Sequence, residues 1–493
     1  MISLLTKYSD DIKKNANQNI IIFWGFAICF LMSIFIGAAT QKVFYLAIPF
    51  VPLFAYVLIV DFRLIFYLLL IVIPFSVEVV FSNGFGTDLP TEPLIILLTG
   101  IYILFTISEG FKANSNFIRH PLTLILLIHV SWIFIVMFTS SNFVVSLKFF
   151  LAKTWYVITF FFLAGRIIKD VTNYKIFFWC LFLPLATASF ITLVRHYGVG
   201  LTFESVNTVM FPFFRNHVSY AAINALFLPY AWYAASWYKR WSFNWLVIVS
   251  GFIVILLAVQ FSYTRAAYVA IFMAVGMVFV IKWKLTKLVV ASAVIGLIIL
   301  VGFLNHKSNY LEFAPNYNKT IAHKSFDNLL EATYKMEDIS TMERVYRWVA
   351  GANMFSAKPL VGFGPGNFYN FYKSFTVSSF RTYVSDNPEK SGIHSYYLMT
   401  LVEQGIIGFI LFLVLIFSFL IYAERVYHSV VDNIQVRNIV LSITLSMVII
   451  DALLLINDMI ETDKVGSFFF MNIAILININ LYYSKKKSHS EIL

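Results

Sequence analysis

Two arginines stand immediately before long apolar stretches and are the residues best suited to binding an anion. Arg265 lies in SYTRAAYVA, and Arg215 lies in FPFFRNHVSYAAINAL. A guanidinium offers several donors in a planar fork that matches phosphate oxygens, and its isolation in hydrocarbon is costly. The two residues are therefore candidates for binding a phosphate group at a membrane surface. Arginines that only anchor or position a helix at the interface would show the same pattern.

A histidine at another such boundary is the candidate proton acceptor. His394 lies two residues before the apolar run that begins at 396, after SDNPEKSGI. An imidazole can accept a proton near neutral pH. A hydrogen-bonded loop histidine is the alternative interpretation. His217 follows Arg215 by two residues, and the other histidines are scattered without the spacing of a metal site.

His394 ends a long polar segment, residues 305–395, which interrupts an otherwise apolar chain. Ser340 with Glu343 three residues later predicts a capping box that opens a helix. Arg344 and Arg347 are three residues apart and share a face of that helix. An ordinary pair between Glu343 and Arg347 is the alternative to a functional one.

The predicted helix is followed by a glycine turn, residues 358–368, with the sequence KPLVGFGPGNF. Its glycines predict a tight turn that brings the backbone close to a substrate. The turn has neither the Lys-Ser/Thr end nor the preceding strand of a nucleotide site, which excludes ATP binding.

Composition excludes a soluble protein. The 493 residues are 60% hydrophobic, 18% aromatic and only 12% charged. The two cysteines, Cys29 and Cys180, fall inside separate apolar runs, which argues against a disulfide framework, a cysteine-rich zinc site or an iron–sulfur cluster. The net charge of +11 is divided among small clusters between apolar runs. That distribution is typical of membrane topology and not of nucleic-acid binding.

The apolar runs predict an all-α polytopic membrane protein with about 14 transmembrane helices, 12 being also possible because several runs are short. A span needs about 20 apolar residues. Fourteen runs meet or approach this length: 20–39, 43–60, 64–81, 93–107, 121–139, 149–168, 175–194, 219–238, 245–261, 266–281, 285–304, 396–421, 436–456 and 466–483.

Lys and Arg are concentrated in alternate connections, which predicts that both termini are cytoplasmic. The polar segment 305–395 then lies on the outer side of the membrane, in the periplasm if the cell has an outer membrane. The predicted domains are a transmembrane bundle of about eleven helices (1–304), this loop with the catalytic elements, and about three C-terminal helices (396–493).

An ordered set of motifs carries a family resemblance. Arg344 precedes Trp348 by four residues, and the glycine turn reads P-L-x-G-x-G-x-x-x-F. His394 then precedes the pair Tyr396–Tyr397 and the motif E-x-G-x-x-G, which begins at Glu403. Over about 265 to 410 the chain resembles the superfamily of O-antigen ligases, O-antigen polymerases and protein O-oligosaccharyltransferases, and O-antigen ligases most closely.

The resemblance implies a GT-C-like membrane glycosyltransferase that needs no metal or other cofactor. It implies inverting transfer of a glycan from undecaprenyl diphosphate to an acceptor hydroxyl on the periplasmic face. Arg215 and Arg265 would bind the diphosphate, and His394 would activate the acceptor. Supporting site residues would be Arg344, Arg347, His217, Trp348, Gly364, Tyr397 and Glu403. Arg265 stands in S-Y-T-R-A-A, where the family more often shows Ser-Arg-Gly, so its neighbours depart from the pattern.

The acceptor stays open among a lipid A-core sugar, the end of another glycan and a protein hydroxyl. An O-antigen ligase is favoured because the extended loop before His394 could shape a groove for a bulky acceptor. The expected partners are the lipid-linked donor, one of these acceptors and the lipid bilayer, without nucleic acid. The alternative from a different class is a polyprenyl-glycan flippase or secondary transporter, for which Glu78, Asp451 and Lys153 would be the intramembrane charged groups.

Overall fold

The computed structural model describes part of the stretch 24–40 and residues 61–80, 86–109, 115–314, 338–382, 385–387 and 391–490. The chain divides into two compact units, Met1–Leu68 and Leu69–Leu493. In the first unit, Arg63 forms an ion pair with Asp61 at 2.7 Å. The elements that carry the candidate site belong to the second unit.

Helices account for most of the described residues. They are α1 (Phe62–Val72), α2 (Thr91–Ser108), α3 (Ser115–Ile118), α4 (Pro121–Phe138), α5 (Phe143–Val157), α6 (Ala164–Ile167), α7 (Val171–Gly198), α8 (His217–Ala234), α9 (Phe243–Gln260), α10 (Arg265–Lys282), α11 (Thr286–Asn305), α12 (Ile339–Ala357), α13 (Phe368–Phe371), α14 (Tyr396–Ser429), α15 (Ile434–Leu454) and α16 (Asp463–Ser490). A π-helical stretch, Ile158–Leu163, joins α5 to α6.

Within the described ranges, ten helical stretches are long and apolar enough to cross a membrane. They are α2, α4, Phe143–Ile167, α7, α9, α10, α11, α14, α15 and Asp463–Tyr482 of α16. The prediction of an all-α polytopic membrane protein is confirmed. The predicted run 43–60 lies outside the described residues, and the run 20–39 is described only in part. The predicted run 219–238 forms α8, which is not among the ten.

The prediction of one span over 64–81 is wrong. Helix α1 and the short 3₁₀ turn after it end at Phe75. Strand β1 (Val77–Val80) then pairs antiparallel with β2 (Gly86–Leu89). Pro74 lacks an N–H for a helix, and Val-Glu-Val-Val is rich in β-branched residues that favour a strand. Apolarity alone did not distinguish this strand from the end of a helix.

Helix α8 is the most enclosed of the helices that support the site. It packs against α9, α10 and α15, and most of its residues are buried. The buried Asn224 accepts a hydrogen bond from the Ser189 hydroxyl on α7 at 2.7 Å. Because protein surrounds α8, it tolerates polar residues that a lipid-facing helix would exclude.

Connections predicted to share one side of the membrane contact one another. The Thr91 hydroxyl donates to Asp463 at 2.8 Å, and the Lys464 ammonium donates to the Ser76 carbonyl at 3.0 Å. The N–H of Ser141 donates to the Phe363 carbonyl at 2.9 Å. We call this end of the second unit the site face.

At the opposite end, the connections predicted to lie on the other side also contact one another. The Asn478 amide donates to the Gly165 carbonyl at 2.7 Å. The Thr286 N–H donates to the Glu424 carboxylate at 3.0 Å. The contacts therefore agree with the alternation of sides that the Lys and Arg distribution predicts.

The glycine turn is hydrogen-bonded to the first turns of α14. The N–H groups of Phe363 and Gly364 donate to the carbonyls of Val402 and Glu403 at 3.0 and 2.9 Å. Those of Gly366 and Phe368 donate to the Glu403 carboxylate at 2.8 and 2.9 Å. These N–H groups are hydrogen-bonded to α14 and hold the polar segment onto the membrane helices. The expectation that the turn offers its backbone to a substrate is therefore wrong for these groups.

We predict that Gly405→Ala destabilises the protein strongly. Gly405 interrupts α14 with φ 69° and ψ −174°, a region open essentially to glycine alone. A Cβ there would overlap the Leu360 carbonyl. We expect a loss of at least about 2 kcal/mol, measured as a lower midpoint of thermal unfolding in detergent.

Gly276→Ala is the matched control for this substitution. Gly276 lies inside α10, and a Cβ there would meet nothing within 4 Å. Alanine should leave stability unchanged or raise it by up to about 1 kcal/mol, since it favours a helix. Equal unfolding midpoints for Gly405→Ala and the wild type would contradict the assigned fit between the glycine turn and α14.

Candidate active site

Helix α12 is capped by a residue that the sequence reasoning missed. The Asp338 carboxylate accepts from the Thr341 N–H at 3.0 Å and from the Thr341 hydroxyl at 2.6 Å. The predicted capping box at Ser340 is therefore wrong, because the helix already begins at Ile339. Asp338 with Thr341 three residues later was the available signal, since aspartate is among the strongest N-cap residues.

The same carboxylate joins α12 to α10. Arg265 is the first residue of α10, and its guanidinium lies 3.3 Å from the Asp338 carboxylate. The Asp338 side chain is 2% exposed and that of Arg265 24% exposed. A buried carboxylate between two helix N-termini is stabilised by both helix dipoles. It thereby orients Arg265 toward the start of α12.

Arg344 adds a second cation beside this pair. Its guanidinium donates to the Ser340 hydroxyl at 3.1 Å, and its Nε is buried without a hydrogen-bond partner in the described part of the chain. Burial lowers the pKa of Arg344, and the neighbouring charge of Arg265 lowers it further, against the opposing effect of Asp338. Two cations thus share one carboxylate, which leaves a positive charge able to attract an anion.

Arg347 and Trp348 hold the chain that leads into α14. Arg347 donates to the Gly392 carbonyl at 3.2 Å, and the indole of Trp348 donates to the Ile393 carbonyl at 3.1 Å. Arg347 also pairs with Glu343 at 3.4 Å, so the ordinary helical pair predicted as the alternative is present. Both residues position the segment immediately before His394. We call Arg265, Arg344 and Arg347 the cationic cluster.

His394 has an unusual backbone conformation beside this cluster. Its φ is 55°, a left-handed geometry that is uncommon outside glycine and frequent at functional sites. The ring is half-buried and makes no hydrogen bond within the described ranges. Burial lowers the pKa of His394 to about 3, and the positive charges of Arg344 and Arg347 contribute. The imidazole is therefore neutral at physiological pH and can accept a proton.

Most residues of the candidate site lie in a stretch that matches one family model. Residues 250–413 match the family model described as O-antigen ligase. Residues 250–413 therefore form a domain of the O-antigen ligase superfamily. The match includes the whole cationic cluster, Trp348 and His394, while Arg215 and His217 precede it. No curated protein matches the chain.

His217 approaches the O-antigen ligase domain from α8. Its carbonyl accepts from the Thr264 hydroxyl at 3.4 Å, next to Arg265. Its backbone N–H and its ring Nδ1 both bond to the Asn207 Oδ1, at 3.0 and 2.8 Å. Since that oxygen accepts from the N–H, Nδ1 must be a donor as well, which leaves Nε2 unprotonated. Burial and the charge of Arg344 lower the pKa of His217 to about 4.

Arg215 makes an ion pair with a residue of strand β1. Its side chain is 70% exposed and pairs with Glu78 at 3.5 Å. Burial raises the pKa of Asp458, and the negative charge of Glu461 raises it further. The positive charges of Arg215 and Arg347 have the opposite effect on this pKa. A Cβ added at Gly392 would overlap the Asp458 carboxylate. Asp458 therefore lies against the segment that leads to His394 and within electrostatic range of Arg215 and Arg347.

The remaining predicted residues make structural contacts. Gly364 and Glu403 take part in the hydrogen bonds between the glycine turn and α14. The Tyr397 hydroxyl donates to the Asp451 carbonyl at 3.4 Å. A Cβ at Gly364 would overlap Ser140, which explains the need for glycine at this close approach. These three residues therefore support the internal packing of the O-antigen ligase domain.

The charged residues proposed for a transporter do not share one environment. Glu78 lies in strand β1, outside the ten candidate spans, so its assignment as an intramembrane residue is wrong. Lys153 is buried and pairs with Glu461 at 2.5 Å. Both carboxylate oxygens of Asp451 in α15 are buried without a hydrogen-bond partner in the described part of the chain.

Proposed function

We propose that this protein transfers a glycan from undecaprenyl diphosphate to a hydroxyl of lipid A-core, as an inverting, metal-independent O-antigen ligase. The observation that supports this most strongly is the cationic cluster next to the neutral imidazole of His394, inside the O-antigen ligase domain. Anion-binding groups and a proton acceptor are the two requirements of such a transfer. The location of the cationic cluster and His394, where the polar segment meets the membrane helices, supports assigning these two roles to them.

In the proposed step, the acceptor hydroxyl gives its proton to the unprotonated nitrogen of His394. The oxygen forms a bond to the anomeric carbon of the donor sugar from the face opposite the diphosphate. The bond between that carbon and the diphosphate oxygen breaks, and its electron pair stays on the diphosphate. The products are an inverted glycoside, undecaprenyl diphosphate and a protonated His394.

Fixed arginines suit this step because charge develops on the leaving group. The diphosphate oxygen gains negative charge as its bond to the sugar breaks. Guanidinium groups already aimed at it therefore stabilise the transition state more than the ground state. Arg265 and Arg344 are held in place by Asp338 and Ser340 before any ligand arrives, and Arg215 would approach the diphosphate from the side of Glu78.

Donor binding would also prepare His394 for its role. An imidazole with a pKa of about 3 is a weak base. A bound diphosphate would offset the positive charges of Arg344 and Arg347, which are among the causes of that low value. Removing their repulsion raises the pKa of His394. The proton acceptor would therefore become stronger only when the donor is in place.

The proposed location is the bacterial inner membrane, with the site face periplasmic and both termini cytoplasmic. The concentration of Lys and Arg in connections of the opposite end supports this orientation. The polyprenyl chain of the donor would lie along the membrane helices. Its diphosphate would then reach the cationic cluster at the hydrocarbon boundary.

The function is tested by reconstituting the protein with its lipid-linked donor and lipid A-core in nanodiscs containing EDTA. We expect polymer attached to lipid A-core with inverted anomeric configuration. In a deletion strain, polymer should disappear from lipopolysaccharide and remain on the carrier lipid. Loss of chain length would instead indicate a polymerase, and loss of protein glycosylation alone a protein O-oligosaccharyltransferase. Movement of labelled substrate into proteoliposomes without a covalent product would contradict the enzyme proposal.

A further inference from the structure

A cavity of about 390 Å³ opens beside Arg215 at the site face. Its walls come from the β1–β2 hairpin, the segment before α8, and the segment that leads into α16. Its charged lining residues are Glu78, Asp88, Glu92, Arg215, Glu461, Asp463 and Lys464. We call it the acidic cavity, because five of these seven side chains are carboxylates.

The hairpin places two of the carboxylates directly opposite each other. Glu78 and Asp88 are partners across the antiparallel strands, an arrangement of like charges that destabilises a sheet. Glu78 pairs with Arg215, whereas the Asp88 carboxylate makes no hydrogen bond within the described ranges. Asp88 is half-buried. Asp88 lines the cavity, so its oxygens are accessible to a ligand there.

The charges that line the cavity disfavour the diphosphate of the donor and favour a sugar. A cavity with more carboxylates than cations repels a diphosphate. Carboxylate oxygens accept hydrogen bonds from hydroxyl groups, and charge-assisted bonds of this kind are stronger than neutral ones. Thr87, Ser219 and Thr462 add hydroxyl groups to the wall. These groups match a hydroxyl-rich sugar.

An aromatic side chain completes the match. Phe211 lines the cavity, and 68% of the residue is exposed although it is large and apolar. Phe213 is fixed by an edge-to-face contact with Phe75, with ring centroids 5.7 Å apart. The apolar face of a sugar ring can cover an exposed aromatic ring while its hydroxyls bond to carboxylates. Pockets that combine apolar walls with a few polar groups are the usual form of small-molecule sites.

The acidic cavity adjoins the candidate active site through one short segment. Glu461 lines the cavity and ends the 3₁₀ turn Met459–Glu461. Asp458 comes just before this turn and lies against Gly392, two residues before His394. The Lys153 ammonium fixes the turn by its pair with Glu461. A sugar in the cavity would therefore lie next to the residues proposed for transfer.

We propose that the acidic cavity binds a sugar residue of the transferred or accepting glycan, through its carboxylates and the ring of Phe211. This rests on the proposed function and adds a recognition site for the sugar to the diphosphate site. Donor and acceptor both present hydroxyl-rich rings, so this chemistry is common to the two sources. Arg215 is paired with Glu78 at the cavity wall, so in this proposal it lies where the sugar is joined to the diphosphate.

Binding is tested without turnover, by saturation-transfer NMR of methyl glycosides of hexoses and hexosamines with the full-length protein in nanodiscs. Wild-type protein should give saturation of the sugar ring protons. Asp88→Asn keeps the size of the side chain and breaks no internal hydrogen bond of the described structure. It should weaken sugar binding by about 10-fold or more, and Phe211→Ala should weaken it as well. Both should bind undecaprenyl diphosphate without sugar like wild type.

Glu312→Gln is the matched control, because Glu312 is exposed and lies outside the cavity lining. It should bind the glycosides like wild type. Absence of sugar saturation in the wild type, or equal binding by Asp88→Asn, Phe211→Ala and the control, would overturn the assignment. In a third outcome, the wild-type protein binds sugar and loses this binding on Asp88→Asn while showing no transferase activity. That result would refute the proposed function but would still support the sugar site.

Steady-state transfer kinetics of Asp88→Asn separate the two sources of the sugar. A higher KM for the lipid-linked donor, with the KM for lipid A-core unchanged, would assign the cavity to the donor glycan. The reverse result would assign it to the acceptor. Either outcome supports a sugar site, and unchanged KM values for both substrates would refute it.

Discussion

Replacing His394 with alanine is expected to lower the rate of glycan transfer by about 10²–10⁴-fold, the usual contribution of a positioned general base. The ring is neutral and makes no hydrogen bond in the described part of the chain, so its unprotonated nitrogen can accept a proton. Alanine has no group that could take over this role. The backbone carbonyls before it stay bound to Arg347 and Trp348. We therefore expect folded protein with low kcat in a purified assay containing EDTA.

The control for this substitution is His306→Ala. His306 is exposed and starts the 3₁₀ segment after α11, so its loss should leave transfer unchanged. Full activity of His394→Ala would remove the proposed base.

The pH dependence gives a second measurement on the same residue. Because the pKa of His394 lies near 3, the free enzyme should not lose its base as the pH falls from 7 to 5. Arg344→Ala removes a positive neighbour that disfavours the protonated ring. The pKa of His394 should then rise, and the acidic limb of kcat/KM should move to higher pH. An unmoved limb would contradict the charge interaction.

Arg265→Ala is expected to lower kcat by about 10²–10³-fold, the typical loss when one group that stabilises developing charge is removed. The substitution also leaves the buried carboxylate of Asp338 without its cation. Part of the loss could therefore come from a disturbed start of α12, and the experiment must separate the two causes.

Arg265→Lys and Arg381→Ala make that separation. Lysine keeps the charge beside Asp338 and loses the fork of donors, so α12 should keep its position while transfer stays well below wild type. Arg381 lies in the same polar segment and forms a pair with Asp386 in which both side chains are mostly exposed. Its replacement should have little effect. Arg265→Ala protein that is folded and as active as Arg381→Ala would refute the diphosphate role.

Several features of this protein could be predicted from the sequence because they depend on local properties. The length and apolarity of runs such as 121–139 and 245–261 dictate membrane helices, since the hydrocarbon core needs about 20 apolar residues to be crossed. The spacing of Arg344, Arg347 and Trp348 placed them within two turns of one helix. The order of the motifs indicated the O-antigen ligase family, which the match over 250–413 confirms.

Contacts between distant parts of the chain were decided only by the tertiary structure. Asp338 meets Arg265, 73 residues away. The glycine turn meets the break in α14, and the segment before His394 meets Arg347 and Trp348. No local pattern encodes such contacts, because they depend on which helices become neighbours. The same reason explains why Arg215, a phosphate candidate by its neighbours in sequence, lines an acidic cavity. One wall of that cavity is a hairpin whose first strand had been assigned to a helix from its apolarity alone.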